Sequence, residues 1–114
     1  MSFRSPLSVV AVALLLVSGG AVAKSYPVEE LKRMVEAGNT PEQGEQETVR
    51  DEEMAFQACV AGKARVLEAA SADYPTAQVL RSPVTEIDTL WTPDAVMQIT
   101  CGNGRMKITR APYR

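Results

Sequence analysis

Cys59 and Cys101 carry the most definite chemistry in this 114-residue chain, because a pair of thiols can close a covalent bridge. They stand 42 positions apart, outside the Cys-x-x-Cys spacing that depresses a thiol pKa, so a structural disulfide is the expectation. A redox pair or a metal site is the alternative use of the same two residues. Beyond them the inventory is thin. The chain has no histidine, which removes the commonest general base, the Ser-His and Cys-His nucleophile pairs and imidazole metal ligands. Ser25, Ser71 and Ser82 lie in no Gly-x-Ser-x-Gly elbow, and Gly102-Asn103-Gly104 joins strand to strand instead of opening a helix around a phosphate. No catalytic residue, cofactor or metal site is therefore expected, and the chain reads as a non-enzyme.

Three other features could meet a partner. Glu86 and Asp88 lie two apart on one strand face, as paired carboxylates or a weak cation site would, but a solvated face explains them equally. Trp91, the single tryptophan, sits beside a turn, where it covers the core or anchors a partner. The C-terminal stretch from Gly102 carries Arg105, Lys107, Arg110 and Arg114 with no acid, so it could face anionic lipid, polysaccharide or an acidic protein. A charged edge that discourages promiscuous strand pairing is the plainer account of the same residues.

These residues need a scaffold, and the first segment says where it folds. Residues 1–23 combine Arg4, a run of 11 residues from Leu7 to Val17 that is apolar except for Ser8, and the small residues Ser18 to Ala23. That is the layout of a cleavable secretory signal, and the run is short of the roughly 20 residues needed to span a bilayer. With Ala21 and Ala23 at the positions the signal peptidase reads, the cut falls after Ala23 and leaves 91 residues for the periplasm or the exterior, where a disulfide is the default. The mature chain then holds 11 basic and 14 acidic residues, a balance that disfavours nucleic acid. Residues 24–58 carry four bases and nine acids, whereas residues 102–114 carry four bases and no acid.

Residues 24–47 read as an acidic helical arm and linker: Pro27 opens a helix, Glu29 and Glu30 fill its first turn, and Gly38 stops it. Its apolar stripe of Val28, Leu31, Met34 and Val35 is thin, so the arm is expected to be loosely docked or to need a partner. Residues 48–114 read as a disulfide-stapled α+β domain. Thr48 and Asp51 stand at capping-box spacing, followed by Glu52 and Glu53, which predicts one long helix running to about Ala72. Phe56, Cys59, Val60, Leu67 and Ala70 form its stripe, while Ala55, Ala58, Gly62 and Ala69 would let it approach a sheet closely. Val79 to Trp91 predicts one bulged edge strand interrupted by Pro83, and Ala95 to Arg110 a hairpin about Asn103-Gly104. That hairpin pairs Cys101 with Met106 and Ile99 with Ile108 on one face, and Thr100 with Lys107 and Gln98 with Thr109 on the other.

The expected architecture is one long helix on a three-stranded antiparallel β-meander, with a short N-terminal helical arm. The expected function is that of a small exported binding or accessory module of the cell envelope, acting through the polar sheet face, the basic end and Trp91. A thiol/disulfide redox factor or small enzyme, and a peripheral protein held by anionic lipid or polysaccharide, are the alternatives.

Overall fold

The computed structural model describes residues 24–114, so the signal-peptide reading of residues 1–23 lies outside the described residues. In chain order the elements are α1 (Val28–Glu36), β1 (Glu47–Glu53), α2 (Phe56–Ala70), β2 (Thr76–Arg81), β3 (Thr85–Trp91), β4 (Ala95–Gly102) and β5 (Arg105–Pro112). The strands form one antiparallel sheet of five in the order β1-β5-β4-β3-β2.

This overturns the expected long helix on a three-stranded meander: the described residues are mostly β, with two short helices. The error has two sources. The segment from Thr48 to Glu53 does not begin a helix; it is strand β1, and the helix starts only at Phe56, with no acid in its first turn and no side-chain cap on Ala55. Its acids instead lie against the bases of β5, with Asp51 opposite Lys107, Glu53 opposite Arg105 and Glu47 opposite Arg110. Between the two strands ion pairs close from Asp51 to Arg105 and from Glu47 to Arg110, each worth at most about 1 kcal/mol at such exposure, and a local reading of caps cannot register them. The acid-rich strand β1 and the acid-free strand β5 are thus neighbours in the sheet. The other source is Val79 to Trp91, which is two strands and not one. Ser82, Pro83 and Val84 form a turn in which the Ser82 hydroxyl accepts hydrogen bonds from the Val84 and Thr85 amides. A Pro that cannot donate to a ladder is accommodated there.

The β4–β5 hairpin pairs as its turn predicts, Cys101 with Met106 and Ile99 with Ile108. Asn103 and Gly104 both take positive φ, 54° and 71°, as a two-residue turn with the twist of its strands requires. Both outer strands are bulged, β1 at Val49 and β2 at Val79. A bulged edge is a poor template for another chain.

Side-chain alternation divides the sheet into two faces, one packed under α2 and the other meeting α1 at one end. On one face Cys101 and Met106 meet Cys59, Phe56 and Val60 of α2. On the other, Trp91, Val96 and Ala111 meet α1 through Leu31, which has no exposed surface. The arm is therefore docked, more firmly than its thin stripe suggested. Tyr113 explains the difference: it packs edge-on against Tyr26 with ring centroids 5.2 Å apart, and it bridges to both Lys24 and Gln43. These contacts between the two ends of the described chain lie far apart in sequence, so no helical periodicity reveals them. Among the described residues no helix is long and apolar enough to cross a membrane.

Candidate functional site

The expected disulfide joins Cys59 on α2 to Cys101 on β4, with Cα atoms 5.8 Å apart and both residues buried. Two periods place it. Alternation along β4 aims Cys101 at α2, and four-residue spacing along α2 puts Cys59 on its inner stripe. Both residues are buried, and Cys59 also borders a groove beside α2.

The next residue on that stripe, one turn after Cys59, is Lys63. Its side chain is only 3% exposed, and its ammonium lies 2.6 Å from Asp88 Oδ1 and 3.0 Å from Glu86 Oε1. Glu86 and Asp88 are thus not on a solvated face: they sit opposite Cys101 and Ile99 on the dry side of the sheet, under α2. Arg81 approaches Glu86 from outside at 3.5 Å. Sequence reasoning missed Lys63, although its place four residues after Cys59 and four before Leu67 marks it as inward-facing. Burial alone would pull the Lys63 pKa down, but its hydrogen bonds and Coulomb attraction to Asp88 and Glu86 outweigh that and hold it above the ordinary lysine value.

Tyr113 also titrates late. Burial, reinforced by Tyr26 and Asp94, pushes its phenol well above the ordinary range, and its hydroxyl lies 2.7 Å from the Thr92 carbonyl that it donates to. For both groups the folded state keeps a proton that the unfolded chain gives up at lower pH. Stability from this source is therefore complete below about pH 10 and falls as pH rises through the elevated folded values. Melting temperatures measured from about pH 8 to about pH 11 should decline toward the alkaline end, and less steeply in Tyr113→Phe. A flat profile would contradict the placement of both groups.

Beside Lys63 lies a groove of about 390 Å³. It exists because α2 lies across β3, β4 and β5, which leaves the β5–β1 side of the same face partly uncovered. Its floor is Ile99, Met106 and Ile108, and its wall is Ala58, Gly62 and Val66, one per turn along α2. Met54 completes the apolar lining, and the exposed Arg50 of β1 and Arg65 of α2 stand at the rim. The small residues Ala58 and Gly62 were expected to draw the helix against the sheet. They border open space instead: a Cβ added at Gly62 would meet nothing nearer than the Arg65 guanidinium, at 4.0 Å. Val66 remains 52% exposed.

The other candidate residues are placed differently. Trp91 is buried in the core beneath α1 and is not displayed to solvent; its indole Nε1 has no hydrogen-bond partner. Arg105 pairs with Asp51 at 2.7 Å, and Arg110 and Arg114 make longer contacts of 3.9 and 3.8 Å with Glu47 and Glu42. Lys107 is exposed and makes no ion pair among the described residues. The structure does not bring these five together as one site: Trp91 is buried beneath α1 at the Val96 end of β4, Arg105 and Lys107 lie on the same face but toward the hairpin turn, and Arg110 is on the opposite face. On the polar sheet face Thr48, Thr109, Gln98 and Thr89 form a row across four strands. No cluster of three or more metal-ligating side chains occurs among the described residues. Compared with family models, curated proteins and solved structures, the chain matches none.

Proposed function

We propose that this is a small exported binding module without catalytic activity, whose ligand seats an apolar group in the groove between α2 and the β5–β1 side of the sheet. The groove is the observation that carries the reading. Its volume of about 390 Å³ falls within the range of roughly 300–1,000 Å³ typical of ligand sites, and it is lined mainly by aliphatic and thioether side chains. The export layout of residues 1–23 and the disulfide support a periplasmic or secreted address, with cleavage after Ala23. The buried sulfurs weigh against a redox factor. The pairing of Arg105, Arg110 and Arg114 with acids weighs against a purely electrostatic envelope anchor.

Gly62→Leu tests the groove directly. The new side chain has room, and replacing an interior helix glycine gains up to about 1 kcal/mol of helix propensity, so the variant should fold at least as stably as the parent. In amide NMR spectra, a panel of small apolar fragments should shift Ala58, Gly62, Val66 and Ile108 in the parent and leave the filled variant unmoved. Fragments that shift no groove amide, or that shift both proteins alike, would remove the basis for the reading.

A further inference from the structure

We infer that the ligand class of this groove is an amphiphile with one aliphatic chain and an anionic headgroup, an assignment that rests on the groove being the binding site. The lining is selective in what it omits. It contains no aromatic ring on which a base or sugar could stack, and no Ser, Thr, Asn, Gln, Asp or Glu side chain to recognise a neutral polar or cationic group. Its apolar part, Met54, Val66, Ile99, Met106 and Ile108, suits a flexible hydrocarbon, methionine in particular adapting to irregular shapes.

Every charged side chain in the lining is a cation: Arg50, Lys63 and Arg65. They are not equally available. Lys63 is committed to Glu86 and Asp88, and Arg50 shares its charge with Glu52 at 2.7 Å. Arg65 makes no ion pair among the described residues, and its guanidinium lies near Gly62 on the groove wall. An acyl chain on the aliphatic floor would leave its head at the rim, within the range of a planar donor fork that matches carboxylate or phosphate oxygens. Arg65 is the residue assigned to the headgroup, with Arg50 as the second contact.

The test uses the folded mature chain and three soluble probes of one chain length, dodecanoate, dodecyl phosphate and dodecylammonium, each below its micelle threshold and followed by amide NMR and calorimetry. Saturable binding of either anionic probe at the groove amides is expected, with dodecylammonium at least about tenfold weaker, the scale of one charge-assisted hydrogen bond. The tighter of the two anions identifies the source as a fatty acid or a phosphate-headed lipid, and either supports the inference. Arg65→Glu should weaken the anionic probes about tenfold while Arg65→Lys retains part of the affinity, and Gly62→Leu should abolish binding of both. Equal binding of the cationic and anionic probes overturns the headgroup assignment and leaves the groove as the site. Failure of all three probes, in a protein whose groove still admits small apolar fragments, overturns the ligand class alone. Dodecanoate binding unchanged in Gly62→Leu overturns the inference, because the chain then lies elsewhere.

Discussion

Replacing Lys63 with methionine should destabilise the domain by about 3–5 kcal/mol, the cost typical of removing one partner from a buried ion pair. Methionine matches the unbranched lysine stem, so the loss would not come from a cavity. It would come from Glu86 and Asp88, two carboxylates on one strand face that are each about 10% exposed and would lose their shared counter-charge under α2. Arg81 cannot replace it, because its side chain is 60% exposed and an ion pair of that kind contributes little. Urea unfolding followed through buried Trp91 would measure the change. A triple variant, Lys63→Met with Glu86→Leu and Asp88→Leu, should recover most of the loss, since an apolar substitute for a whole buried cluster is often neutral or stabilising. If the single substitution cost under about 1 kcal/mol, the carboxylates would have to be reaching water, and the cluster would not be the desolvated contact described.

Removing the bridge should be comparably severe. Cys59→Ala with Cys101→Ala frees a loop spanning 42 positions, worth about 4 kcal/mol in the chain-entropy account and 2–5 kcal/mol in small exported domains generally. For a domain of this size that corresponds to roughly 15–30 °C in melting temperature. The effect should be large because the core is divided: Leu31, Trp91, Val96, Ala111 and Tyr113 form one cluster, and Cys59, Cys101 and Met106 a second on the opposite face. The second cluster is small, and the bridge is its centre. Calorimetry of the oxidised, reduced and alanine forms measures the effect, and equal stability in all three would show that the staple does not hold α2. While folded, the bridge should also survive millimolar glutathione. Ready opening would restore the redox reading.

What could be read in advance followed the range of the interaction. The β4–β5 hairpin was legible because the Asn103-Gly104 turn sets the register within a few residues, and the disulfide followed because one inward face of that hairpin and one stripe of α2 each carry a single cysteine. The helix at Val28–Glu36 was legible from Pro27 and Gly38. The groove was not, although its wall was noted. Ala58 and Gly62 were recognised as a small-residue strip, but whether such a strip closes on a sheet or borders a cavity depends on where α2 sits across the strands. The charged cluster was half visible: Glu86 and Asp88 stood out, while Lys63 is marked only by its four-residue spacing from Cys59 and Leu67.

By itself the sequence determined that two cysteines can pair, that histidine chemistry is absent, that Asn103-Gly104 turns the chain, and that the stretch from Gly102 carries bases and no acid. These are properties of residue type and short spacing. Only the tertiary structure decided that Glu47–Glu53 is a strand, because its competing helix-start signals are local and weak while pairing with basic β5 acts across more than fifty residues. It also decided that the helix carrying Cys59 begins at Phe56 and lies over β3, β4 and β5, leaving a groove beside it. The physical reason is the same in both cases: strand partners and helix placement are settled by long-range complementarity, which short spacing along the chain does not record.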